Sequence, residues 1–198
     1  MTEPANHDQP PGSVEERITN AALTLISEHG LGGVTMTEVA STAGVARQTL
    51  YSRYPDVDAI VAAALDSHSR TSNTQLQALI ATGYRAPAKI DLLVRHIVAN
   101  AAHGAEIDSL RAALSPEARG TLDEHDQQVR RIIEEVISDG ITSGDFDTSV
   151  TPADASRIIQ GMLEAGARLA RQTGDSAAAT ATTTTMILNA LDTTAGRR

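Results

Sequence analysis

With no tryptophan, no cysteine, one phenylalanine (Phe146) and three tyrosines (Tyr51, Tyr54, Tyr84) in 198 residues, this chain has to build its interior from alanine, leucine, isoleucine and valine. Such side chains fill a core best where helices approach closely. Strands draw instead on period-two runs of β-branched and aromatic residues, which are hard to find here, whereas stretches rich in Ala, Leu, Ile, Arg and Glu recur throughout. The expected fold class is all-α. Hydrophobic residues are 41% of the chain, enough for a substantial core in one large domain or two small ones.

The same composition narrows the chemistry. Without cysteine there is no disulfide framework, thiolate metal site or cysteine nucleophile, and a reducing cytoplasm suits the chain. No apolar run approaches the ~18 residues of a spanning helix. The opening MTEPANHDQPPGS has neither a basic n-region nor an apolar h-region, so the expected location is cytoplasmic, with no membrane partner. A net charge of −9 argues against coating nucleic acid non-specifically, which rests on neutralising many phosphates. Any DNA contact has to be local.

Start and stop signals divide the chain into about nine helices. Residues 1–12, with three prolines, read as a flexible tail. Ser13 with Glu16 forms a capping box for a first helix that Gly30 ends. Thr35 with Glu38 repeats the device for a short second helix to about Thr42, broken by Gly44. A third runs from about Ala46 to Arg53, where Pro55 stops it. Asp56 caps a long fourth helix reaching about Ile80, and a fifth spans Ala88 to His103. A short sixth covers Ile107 to Leu114. Ser115-Pro116 and Thr151-Pro152 are N-cap and proline pairs opening a seventh helix to Gly140 or Gly144 and an eighth to Gly174. A ninth runs from Ala177 to about Leu191, its Thr182–Thr185 run expected on the surface. No repeat period points to a solenoid.

The segment Thr35 to Tyr54, TMTEVASTAGVARQTLYSRY, carries the function. Two short helices joined through Gly44 fit a helix-turn-helix, whose second helix enters the major groove and offers its first residues to base edges. Arg47 and Gln48 sit at that helix start and suit purine edges. Thr49, Tyr51 and Ser52 supply hydroxyls for phosphates. From Val39 to Pro55 there is no Asp or Glu, and the charges are Arg47 and Arg53.

Arg17 to Tyr54 resembles the DNA-binding domain of the tetracycline-repressor (TetR) family: an Ala/Leu-rich first helix, Gly30, Thr-x-x-Glu-Val-Ala, Ala-Gly-Val and a Thr-Leu-Tyr recognition helix. The resemblance implies a ligand-responsive transcriptional regulator, a repressor that binds a pseudo-palindromic operator as a homodimer and is released by a small-molecule effector. It places the DNA contacts on Thr35, Arg47, Gln48, Thr49, Tyr51 and Arg53, puts Val45 and Leu50 in the core, and makes the last two helices the dimer interface. The division is then a DNA-binding domain at 13–55 and a sensing and dimerisation domain at 56–193. The effector cavity falls within the fourth to eighth helices, with Tyr84, Arg95, His96, Phe146, Met162 and Arg168 as candidate lining.

One departure stands out. The family's helix-four lysine, in a Phe-x-Ser-Lys-like sequence, is replaced by Tyr54-Pro55-Asp56-Val57. The first 60 residues hold Arg17, Arg47 and Arg53 against eight acidic residues. Two other readings therefore stay open: a helical interaction protein with a degenerate DNA-binding head, and a transcriptional activator. No nucleophile elbow, phosphate loop or HExxH spacing is present. No enzyme activity, cofactor or metal is expected, and His96, His103 and His125 are expected to line a cavity or the surface.

Overall fold

The computed structural model describes residues 12–100, 111, 114–146 and 150–191. Among them are eight α-helices and no strand: α1 (Val14–His29), α2 (Met36–Thr42), α3 (Arg47–Tyr51), α4 (Val57–Ile80), α5 (Ala86–Asn100), α6 (Pro116–Thr142), α7 (Pro152–Thr173) and α8 (Ser176–Leu191). The flexible tail at 1–11, the expected short helix at 107–110 and 112–113, and His103 lie outside the described residues. No helix among those described is long and apolar enough to cross a membrane.

Helix starts follow local side-chain chemistry. Ser13 and Thr35 each accept a bond from the backbone N–H of a glutamate three residues on, and that glutamate reaches back to the cap's own N–H. Asp56, Ser115 and Thr151 cap α4, α6 and α7. Each such cap stabilises its helix by ~1 kcal/mol. The start of α5 differs from the expected Ala88. Asp145, distant in sequence, accepts the Ala86 N–H at 3.0 Å and also pairs with Arg85, so the helix begins two residues early.

Two apolar cores lie along α4. The first gathers Ile18, Ala22, Ile26, Val39, Leu50 and Tyr54 with Ile60, Val61 and Leu65 of α4, and takes Leu114, Ala118 and Leu122 at the start of α6. The second joins Leu76 and Ile80 of α4 to Ile90, Leu93, Ile133, Ile137, Phe146, Ile159, Leu163 and Ile187. The aliphatic interior implied by the composition is thus realised with Phe146 as the second core's aromatic member.

Two glycines permit close approach. A Cβ on Gly166 of α7 would stand 2.2 Å from Thr183 Oγ1 of α8. Thr183 is buried and bonds back to the Ala179 carbonyl at 2.7 Å. This corrects the expectation that the threonine run lies on the surface: Thr182 and Thr185 are exposed, but Thr183 is a packing residue. A Cβ on Gly140 would meet the Phe146 ring at 2.3 Å and Ala86 at 2.8 Å. Gly140→Ala is therefore expected to destabilise the fold by roughly 1–3 kcal/mol through overpacking, read as a lower denaturant midpoint with an unchanged slope.

Candidate nucleic-acid interface and interior polar layer

The loop between α2 and α3 turns at Gly44, whose φ of +62° is a left-handed conformation that a side chain would strain. The turn is closed by the Val45 N–H donating to the Ala40 carbonyl at 3.0 Å. Leu50, fully buried, anchors α3 to the first core, and Val45 is half-buried against it. With Leu50 and Tyr54 turned inward, Arg47, Gln48, Tyr51, Ser52 and Arg53 are exposed and Thr49 is half-buried. Tyr51 is 54% exposed, against 9% for Tyr54, so the two tyrosines face opposite ways.

The helix at Arg47–Tyr51 is shorter than the expected stretch to Arg53. Its bonding continues as a turn, however, with the Tyr54 N–H donating to the Leu50 carbonyl at 2.9 Å. Ala46 provides no side-chain cap, which leaves the first amides of α3 available to an acceptor from outside. Ser52 Oγ donates to the Thr49 carbonyl at 2.9 Å. Thr35 is more committed than the sequence suggests: its N–H and its hydroxyl both donate to Glu38 Oε2, at 2.9 and 2.7 Å. These bonds, the hydroxyl's first, hold the Glu38 carboxyl below its ordinary value. A phosphate contact from Thr35 would have to displace that carboxylate. At the α4 start, Asp56 Oδ1 accepts the Ala59 N–H at 2.8 Å, placing a negative charge next to Val57, the position of the missing lysine.

The six candidate lining residues are not brought to one cavity. Tyr84 is 60% exposed and borders an open groove of about 390 Å³ with Arg85, Lys89, Asp139 and Asp145. Arg95 is exposed and paired with Asp91 at 2.7 Å. Phe146 is buried in the second core and Met162 packs partly against it, while Arg168 lies exposed on α7. Only His96 of the six faces an interior polar feature.

That feature is a layer between the two cores. The inward stripe of α4 passes from Leu65 in the first core to Leu76 in the second through Ser69 and Asn73. That of α6 passes from Leu122 to Val129 through His125. Ser69 Oγ, Asn73 Oδ1 and His125 Nδ1 are buried atoms with no hydrogen-bond partner, each costing roughly 1–3 kcal/mol if left so. The rings of His68 and His125 lie edge to face with centroids 6.4 Å apart. Burial, then the neighbouring His68, lowers the His96 imidazole below its ordinary value. Burial lowers that of His125, against the pull of Asp126 and with the help of His68 and His96. Among the described residues no group of three or more His, Asp or Glu is arranged to hold a metal ion. Ser69, Asn73 and His68 were not singled out from sequence, although the polar break in the apolar stripe of α4 was there to be seen.

The family model described as "Bacterial regulatory proteins, tetR family" matches residues 18–64. One described as "Tetracyclin repressor-like, C-terminal domain" matches residues 87–191. An uncharacterised HTH-type transcriptional regulator of Mycobacterium tuberculosis is 44% identical over 52 residues, 26% of this chain, and the match spans 28% of that relative's length. Similar solved structures include the reduced form of NemR from E. coli, with a TM-score of 0.78 at 15% identity over 90% of this chain and 97% of that one. FadR from Bacillus subtilis in complex with stearoyl-CoA has a TM-score of 0.77 at 19% identity over 88% of this chain and 98% of that one. At these identities the likeness is one of fold.

The histidine shifts set a pH dependence. An imidazole whose folded value is depressed binds fewer protons folded than unfolded. Stability is therefore full above the unfolded value of about 6.5 and falls as the pH drops below it. Glu38 and Asp145, held below their ordinary 4.5 and 3.8, act only at lower pH. Denaturant unfolding is expected to give a lower stability at pH 5.5 than at pH 7.5. The difference should shrink in the His96→Gln, His125→Gln variant; an equal difference in both proteins would contradict the assignment.

Proposed function

This chain belongs to the tetracycline-repressor (TetR) family of bacterial regulatory proteins, and from that membership we propose that it is a repressor that binds a pseudo-palindromic operator as a homodimer and is released by a small-molecule effector. The observation that carries the DNA-binding part is the outer face of α3, where Arg47, Gln48, Tyr51, Ser52 and Arg53 stand exposed in a stretch free of carboxylates from Val39 to Pro55. Arg47 and Gln48, at the start of α3, reach base edges. Tyr51, Ser52 and Arg53 hold the backbone, with Thr49 beside them. Fixed in direction by the buried Leu50, this face carries few cations, and Asp56 opposes it at the α4 start.

Dimerisation through α7 and α8 is supported by what they leave uncovered. Ile158 is 60% exposed, Leu169 38% and Met186 57%. Ile158 and Leu169 lie eleven residues apart, three helical turns, with the exposed Ala165 between them on the same side. A second copy laid against this face buries all of them and holds two recognition helices about one DNA turn, ~34 Å, apart. The stearoyl-CoA complex of the B. subtilis regulator supports a helical body able to take a small molecule. An effector that prefers a conformer with the reading heads misplaced weakens DNA binding, and DNA weakens effector binding by the same factor.

Gel shifts on the DNA flanking the gene, repeated across salt concentrations, test the assignment. Arg47→Ala should cost about 1–3 kcal/mol and relax base preference, whereas Arg53→Ala should weaken all sequences alike and reduce the salt slope by about one. Asp56→Asn should tighten binding on every sequence. Affinity unmoved by salt and by both arginines would leave a helical interaction protein with a degenerate head. In light scattering, the Ile158→Glu, Leu169→Glu variant is expected to be monomeric while its helix content is kept; a persisting dimer would place the interface elsewhere.

A further inference from the structure

We propose that the polar layer between the two cores is the head-group site for the effector, and that the effector is an uncharged aliphatic molecule ending in a hydroxyl or a primary amide. The inference rests on the reading that the helical body binds an effector, and names the chemistry it would accept.

Three polar atoms on two helices lack partners at this level: Ser69 Oγ and Asn73 Oδ1 of α4, and His125 Nδ1 of α6. Ser69 is only 7% exposed, so its hydroxyl is turned into the protein rather than toward solvent. Residues 69 and 73 are one turn apart and share a face of α4. Together the three atoms ask for a group that both donates and accepts: the amide oxygen only accepts, the serine hydroxyl does either, and the imidazole nitrogen does one or the other according to its tautomer. A hydroxyl or primary amide has both functions.

Charge selects further. The charged groups beside the layer, Asp126 and Arg111, are paired with each other at 2.6 Å, and Arg111 also binds Asp123. His96 and His125 are held toward their neutral forms by burial. Among the described residues, the carboxylate and guanidinium beside the layer are thus committed to each other, and burying a charge without a counter-charge is strongly unfavourable. The layer is flanked by Leu65 and Leu122 of one core and by Leu76 and Val129 of the other, apolar surroundings that suit a saturated carbon chain. The site also bridges the core beneath the reading head and the core of the sensor body, so its occupant touches both.

Calorimetric titration of the full chain, without DNA, with 1-hexanol, hexanamide, hexanoate and hexylammonium tests the proposal. At pH 7.5 hexanol or hexanamide should bind more tightly than either ion. Ser69→Ala should not lower the melting temperature, since its hydroxyl makes no bond, yet bind the neutral probe about five- to tenfold more weakly. Asn73→Leu should do the same.

Tighter binding of hexanoate or hexylammonium, or no binding of any probe, would overturn the proposal. So would a lower melting temperature of Ser69→Ala without probe, which would mark a structural water on that hydroxyl. Because the titration contains no DNA, its outcome is separate from the gel shifts. Neutral-probe binding that leaves DNA affinity untouched supports the site and counts against effector release alone.

Discussion

Two helices, α4 and α6, belong to both hydrophobic cores, and the rest of the molecule is arranged around them. At 24 residues, α4 is ~36 Å long. Its first turns give Ile60, Val61 and Leu65 to the core that fixes α1, α2 and α3, and its last turns give Leu76 and Ile80 to the core of the helical body. Leu50 holds the reading face on the first of these cores. The direction in which Arg47 and Gln48 point is therefore tied, through Leu50 and the head of α4, to the packing of a helix whose far end lies in the sensor body. The start of α6 reinforces the tie, since Leu114, Ala118 and Leu122 also lie in the first core. A ligand moves such an arrangement only in proportion to its preference for one packing over another, and the polar layer halfway along α4 is where buried polar atoms are left without partners.

Electrostatics gives the reading face its character. The chain carries a net charge of −9, and Asp56 places a carboxylate at the start of α4. Long-range attraction to a phosphate backbone is thus weak, and in the proposed function affinity depends on short-range contacts from a few side chains. Thr35 shows how the fold and the face compete: the capping box that starts α2 consumes the donors that a phosphate would use.

Much of this was legible in the sequence because its causes are local. Ser13, Thr35, Asp56, Ser115 and Thr151 announce helix starts through bonds that span three residues, and Gly44 announces a turn through its own backbone freedom. The reading face follows from the same local order, as Leu50 and Tyr54 turn inward one helical turn apart and leave Arg47 and Tyr51 outside. What escaped was set by distant partners. The start of α5 depends on Asp145, some 59 residues away. Thr183 is buried because Gly166 of another helix lets it approach. The scattering of Tyr84, Arg95, Phe146, Met162 and Arg168 reflects helix rotations fixed by packing, which residue type alone does not reveal. Ser69 and Asn73 sat unremarked in a long helix until the two cores on either side of them were separated in space.

The central claim is that two sparse reading faces are held at a fixed spacing by one symmetric assembly. Selecting bound sequences from random DNA tests it most directly. The account predicts enrichment of a sequence with two-fold symmetry, its half-sites about one helical turn of 10 to 10.5 base pairs apart or a multiple of it. Enrichment of a single asymmetric site, or of no sequence at all, would contradict it.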